Sequence, residues 1–129
     1  MNERQKFYIC DDCKNIVTSI SMTGIPIMCC GHKMIELEPN TVDASGEKHL
    51  PDVSFSGSNI KVQVGSVLHP MADEHHIVFI YVETEHGSQC KYLKPGDEPV
   101  AEFSFVNDEP IAVYEYCNLH GLWKTEIVN

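Results

Sequence analysis

Soft donor atoms crowd both ends of this sequence. Cys10 and Cys13 form the run CDDC, and Cys29 and Cys30 stand side by side in MCCGH. Four thiolates from two short loops can surround one tetrahedral ion. An all-sulfur set points to zinc or iron, and ligand counting alone does not separate a structural zinc from a one-electron iron site. The adjacent pair demands a local distortion, because neighbouring side chains tend to point apart. Toward the other end, Cys117 and His120 lie three residues apart in YEYCNLHGLW. Further imidazoles occur at His49 in EKHLP, His69 in LHPM, and His75 with His76 in DEHH. A single His in a β-protein is most often a surface residue. These differ in placement: His49 and His69 lie close to prolines, and His75 and His120 end strand-like runs, where loops gather at one edge. Four of these imidazoles and one thiolate would make five donors. A structural zinc is satisfied by four, whereas five suit a square-pyramidal redox metal with a sixth position left for substrate.

The elements that must hold these donors read as β. The polar run ELEPNTVDASG, residues 36–46, looks like a linker and divides the chain into residues 1–37 and 38–129. A piece as short as the first rarely folds without a metal, disulfides or a partner. After the linker, NIKVQVG, AEFSFV, IAVYEYC and LWKTEIV alternate apolar and polar residues, and HIVFIYVET is a longer buried run. SGSN, HGSQ, PGDEP and NDEP supply turns between them. No segment keeps a helical period for three turns. The pattern predicts a mainly β protein: a small metal-bound domain followed by an immunoglobulin-like β-sandwich.

The totals narrow the function classes. The 129 residues carry a formal net charge of −10, which argues against broad nucleic-acid binding. An anionic substrate would meet general repulsion unless the site held its own cation. No stretch has the roughly 18 uninterrupted apolar residues of a membrane span. MNERQKFYIC has no apolar signal-peptide core, so a cytoplasmic protein is expected. In that compartment the six cysteines are better read as ligands or reactive thiols than as disulfides.

YICDDC followed by MCCGHKM resembles desulforedoxin, the small rubredoxin-like iron protein with an adjacent cysteine pair. By that resemblance Cys10, Cys13, Cys29 and Cys30 hold a single iron. Behind it, in family order, come EKHLP (47–51), GSVLHPM (65–71), DEHH (73–76), YLKPGDEP (92–99) and EYCNLHGLW (115–123). Together these make nearly the whole chain similar to desulfoferrodoxin, the two-iron form of superoxide reductase. The resemblance implies two non-haem irons, Fe(Cys)4 and Fe(His)4Cys. It implies His49, His69, His75 and His120 as ligands of the second iron, with Cys117 as axial thiolate. Glu47 and Lys48 become the catalytic pair on a mobile loop, Glu47 also being a possible sixth ligand of the oxidised iron. Family members often carry an aromatic residue, commonly Trp, where His76 stands, so His75 rather than His76 is assigned on the motif. Cys90 has no implied role and reads as a strand-end packing residue; His32 and His86 read as surface residues.

The resemblance further implies one-electron reduction of superoxide to hydrogen peroxide, serving oxidative-stress defence in an anaerobic or microaerophilic cell. A rubredoxin-like electron donor and a homodimer are the expected partners, and the first iron becomes an electron store or relay. Lys48 would supply the local positive charge that an anion needs here, and Glu47 and Lys48, pointing to opposite sides of an extended segment, would require alternate loop positions. The alternative is an electron-transfer metalloprotein, cupredoxin- or rubredoxin-like, without catalysis. A cupredoxin expects an axial Met soon after its last His, and GLWKTEIVN contains none. A structural zinc module would leave EKHLP and YCNLHG idle.

Overall fold

The computed structural model describes residues 5–127. The chain divides into two compact units, Met1–Glu38 and Pro39–Asn129. The first is built from strands of two or three residues: β1 (Phe7–Ile9), β2 (Ile16–Thr18), β3 (Met28–Cys29), β4 (His32–Lys33) and β5 (Ile35–Glu36). β1 lies between β2 and β5 in one sheet, and β3 and β4 form a separate hairpin. Its described residues bury little: Gln5, Phe7, Cys10 and Ser19 are inside, while Ile20, Ile25, Met28 and Ile35 are exposed. A unit with so small an apolar core needs another source of cohesion.

The second unit is a β-sandwich of seven strands, and the chain as a whole is mainly β. β6 (Pro51–Ser56), β7 (Asn59–Val64) and β10 (Val100–Ser104) form a sheet in the order β10-β7-β6. β8 (Ile77–Thr84), β9 (Ser88–Tyr92), β11 (Pro110–Cys117) and β12 (Gly121–Glu126) form the other, in the order β12-β11-β8-β9. All neighbouring pairs are antiparallel. Ile60, Val62 and Val64 of β7, with Ala101 and Phe103 of β10, meet Ile77, Ile80 and Val82 of β8 and Val113 and Cys117 of β11 in one core. The period-two alternation in the sequence puts these residues on the inner faces.

The five expected strand runs became β7, β8, β10, β11 and β12. β6 and β9 were not anticipated. Both lie at sheet edges, where one side is solvated and a polar run such as SQCKY is tolerated; Pro51 opens β6, a position that costs no ladder bond. The segment expected to be extended around Glu47 is instead a single helical turn, α1 (Gly46–His49). Among the described residues no helix is long and apolar enough to cross a membrane.

Candidate metal centres

The first donor set comes from two turns. Between β1 and β2, Cys10 N–H bonds the Asn15 carbonyl at 2.9 Å and Lys14 N–H bonds the Cys10 carbonyl at 2.9 Å, with Lys14 at φ 66°. This tight turn carries Cys10 and Cys13. Between β3 and β4 the loop is only Cys30-Gly31, with φ of 52° and 83°, the mark of a type I′ hairpin. The left-handed conformation of Cys30 is the distortion that the adjacent pair requires: it lets the turn thiol join the strand thiol of Cys29. All four sulfur atoms lie within 4.8 Å of one another, and Cys13 Sγ is 3.6 Å from Cys29 Sγ. A tetrahedral ion with metal–sulfur bonds of about 2.3 Å spaces its sulfurs by about 3.8 Å, close to the Cys13–Cys29 separation, so the four thiols suit such an ion.

Their electrostatics agree. The Cys13 backbone amide, aided by that of Asp12, brings the Cys10 thiol down to about 6. Cys29, hydrogen-bonded by Cys10 and Cys13, is pushed up to about 12. Crowded thiols cannot all ionise together unless a cation sits among them.

The second set is assembled at one end of the sandwich. α1 delivers His49; the turn after β7 delivers His69; an Ala72–His75 bridge delivers His75 just before β8. Cys117 ends β11, and the β11–β12 turn delivers His120 ahead of Gly121 at φ 81°. The strand register slips between Tyr116 and Cys117, so Cys117 faces Ile77 rather than Val78. Such irregularities re-aim side chains at functional ends of strands.

The four rings form a square. His49 and His69 lie 4.7 Å apart at 77°, His69 and His75 4.6 Å at 83°, His75 and His120 5.1 Å at 80°, and His120 and His49 4.9 Å at 86°. Across the square His49 and His75 are 6.4 Å apart and nearly parallel, at 29°. His49 Nε2 is 3.2 Å from His69 Nε2 and 3.1 Å from His120 Nδ1. Adjacent nitrogens around a metal at about 2.05 Å would be about 2.9 Å apart, close to what is seen. Donor atoms of His49, His69, His75 and Cys117 all lie within 4.8 Å of one another, and Cys117 Sγ is 3.9 Å from His120 Nδ1.

The chemistry of three of the rings suits ligation. His49 Nδ1–H donates to the Ser45 carbonyl and His69 Nδ1–H to the Pro70 carbonyl, both at 2.7 Å. This fixes the tautomer that leaves Nε2 bare. His75 Nε2 is buried with no hydrogen-bond partner, an orphan that a metal would satisfy. Burial lowers the pKa of His69 to about 4 and also lowers those of His49 and His75. These three imidazoles are therefore neutral donors at neutral pH. Burial raises the Cys117 thiol, so its ionisation too would need a cation nearby.

Glu47 and Lys48 are exposed on α1, and the converging donor groups contain no carboxylate. Lys48 stands near enough for its charge to lower the pKa of both His49 and His75, after burial and the neighbouring imidazoles. In the helical turn the two side chains diverge by about 100° rather than alternating. The Glu47 carbonyl is seated by Val67 N–H at 3.0 Å and Ser66 Oγ at 3.2 Å. His32 and His86 are surface residues, paired with Asp12 at 3.4 Å and Asp108 at 3.3 Å. Cys90 lies within edge strand β9 and is exposed, which corrects its expected packing role. His76 turns a buried Nδ1 with no partner and joins neither donor group.

Residues outside the motif ligands also matter. The Trp123 ring stacks on His49 at 5.0 Å and its Nε1–H donates to the His120 carbonyl at 3.1 Å. Glu115 is fully buried, neither carboxylate oxygen has a partner, and burial raises its pKa well above the ordinary value. Its signal was in the sequence: Glu115 is in phase with Val113 and Cys117, hence on the core face.

Comparison with known proteins agrees with this geometry. The desulfoferrodoxin family model matches residues 41–126. Desulfoferrodoxin from Nitratidesulfovibrio vulgaris is 42% identical over 126 residues, covering 98% of this chain and 99% of that protein. A desulfoferrodoxin homolog from Archaeoglobus fulgidus is 41% identical over 125 residues, covering 97% and 99%. The crystal structure of the superoxide reductase from Treponema pallidum aligns with a TM-score of 0.81 at 33% identity, over 96% of this chain and 100% of that one. With one all-sulfur set, one square of imidazoles over a thiolate, and relatives matched from end to end, the chain belongs to the desulfoferrodoxin family.

Proposed function

We propose that this protein is a superoxide reductase: superoxide, one electron and two protons become hydrogen peroxide. The single observation that carries the reading is the square of four imidazoles with a thiolate and no carboxylate in the donor group. Its relatives include proteins named desulfoferrodoxin and superoxide reductase. Iron is the cofactor at both sets, and a ferrous ion in the second supplies the electron when bound. His49, His69, His75 and His120 would hold it through ring nitrogens, and Cys117 would add a thiolate that donates electron density to it. Neutral imidazoles add no charge to the site, and the anchored rings of His49 and His69 help to keep it in shape without reorganisation.

Lys48 attracts the anion against the net charge of −10 and orders the water that brings protons to the product. Glu47, on the same turn, would offer its carboxylate to the oxidised metal. Cys10, Cys13, Cys29 and Cys30 would hold the other iron, an electron store or relay that would also lend residues 1–37 their cohesion, while residues 38–129 form the catalytic domain. The physiological donor is a rubredoxin-like protein, the protein works as a homodimer in the cytoplasm, and it binds no nucleic acid or membrane.

The test is stopped-flow oxidation of the ferrous protein by pulsed superoxide, with metal content measured on the same sample. About two irons per chain and a rapid second-order oxidation yielding peroxide are expected. Zinc in the second set of the protein isolated from cells, or a ferrous form indifferent to superoxide, would refute the assignment.

A further inference from the structure

We infer that Asn118 is a positioning residue, one that fixes where His75 stands relative to Cys117; this rests on the reading of both as ligands of one ion. The rings of His49 and His69 are tied through Nδ1 to carbonyls at 2.7 Å. His75 has no such anchor among the described residues, and its Nε2 is an orphan. Its position must come from its backbone. On one side Ala72 holds it, with N–H to carbonyl bonds of 2.9 and 3.2 Å in the two directions. On the other side is Asn118, the residue covalently next to Cys117.

Asn118 bonds the residues immediately before and after His75. Its Oδ1 accepts the His76 N–H at 2.8 Å, and its Nδ2–H donates to the Glu74 carbonyl at 3.1 Å. Its own backbone N–H donates to the His76 carbonyl at 3.2 Å. The side-chain amide thus copies a short piece of β-ladder, spending its acceptor and one donor on a segment 42 to 44 residues away. No other side-chain type of this size offers both an acceptor and a fixed donor. Asp would keep the bond from His76 N–H but face the Glu74 carbonyl with another acceptor; Ala would lose both. The thiolate-bearing turn and the His75 segment are therefore one mechanical unit, clasped by Asn118.

The test is anaerobic titration of the full metal-free chain with iron(II), combining metal counts with the fluorescence of Trp123. This is the sole tryptophan, and its ring stacks on His49 at 5.0 Å. The binding phase that His75→Ala weakens marks the second site. Asn118→Ala should weaken that phase by about 10–100-fold, the usual effect of losing a partner behind a metal ligand, with Asn118→Asp in between. In the His75→Ala background, Asn118→Ala should add little, because its effect passes through His75. Affinity within about threefold of the parent in both Asn118 variants would overturn the inference. So would an equal loss with and without His75, which would mark Asn118 as a holder of the turn alone. Should His75→Ala leave every phase unchanged, the ligand assignment of His75 itself falls, a different failure with a different signature.

Discussion

Replacing Gly65 by alanine would set a methyl carbon 2.5 Å from the Glu47 carbonyl oxygen and 2.9 Å from the Lys48 carbonyl carbon. Since ordinary contact begins near 3.4 Å, the Glu47 peptide would have to retreat by about 0.9 Å. That peptide is not free to do so. Its oxygen is held by Val67 N–H at 3.0 Å and Ser66 Oγ at 3.2 Å, and a retreat of that size takes both beyond hydrogen-bonding range. Two hydrogen bonds at about 1 kcal/mol each, plus an overpacking cost of about 1–3 kcal/mol, less some sliding of α1, give a destabilisation of about 2–4 kcal/mol. Urea unfolding followed by Trp123 fluorescence reports on the sandwich directly. Ser66→Ala is the matched control: it removes one hydrogen bond, adds no atom, and should cost about 0.5–1 kcal/mol. Because α1 carries Lys48 and His49 together, Gly65→Ala should also slow oxidation by superoxide. A Gly65→Ala protein within about 0.5 kcal/mol of the parent, or no worse than Ser66→Ala, would refute the idea that the missing Cβ makes room for α1.

Lys48→Ala should slow the second-order reaction with superoxide by roughly fourfold, the worth of one charge at about 5 Å in water, and flatten its dependence on salt, as stopped-flow rates across ionic strength would reveal. Asp108 accepts from Thr84 Oγ1 at 2.6 Å, and this bond, followed by those from Glu109 and His86, holds its carboxyl below the ordinary value. A depressed carboxylate contributes stability above its unfolded pKa and loses it as pH falls through the folded value. Asp108→Asn should therefore be less stable than the parent at pH 7 and approach it as urea midpoints are followed below about pH 4. Removing metal with a chelator under reducing conditions should collapse the amide chemical-shift dispersion of residues 5–38, where Phe7 and Cys10 are the buried apolar side chains, while leaving the strands of the sandwich dispersed.

Donor identity was legible from residue type alone, since no other side chains gather soft ligands in this way. The sandwich was legible from alternation, because Ile60, Val62 and Val64 must share a face if the run is a strand. Edge strand β9 escaped for the converse reason, since with only one paired side it accepts the polar run SQCKY, whereas β6 could have been found, because Pro51, Val53 and Phe55 alternate with polar residues. The turn at Gly46–His49 was misread as extended because a four-residue helix has no hydrophobic period at all; tertiary bonds from Ser66 and Val67 hold it. Asn118, Trp123 and Gly65 were silent because their work is done on atoms many residues away. Glu115 could have been found, since its place in the IAVYEYC alternation already demanded burial.

The two donor sets differ in the protein bonds that hold them. The thiols sit on a tight turn and a two-residue hairpin loop in a unit with almost no apolar interior, so a neutralising cation would supply much of what holds that unit together. The imidazoles are fixed by the ends of buried strands, by the Ser45 and Pro70 carbonyls, by the stacked Trp123 ring and by the Asn118 clasp. Their nitrogens already stand within a few tenths of an ångström of the spacing a metal needs. A site that must change its iron's oxidation state without reorganising gains from such prior order, whereas a cohesive site can let the ion do the folding. The catalytic role proposed for the imidazole set therefore suits the set that the protein's own bonds shape.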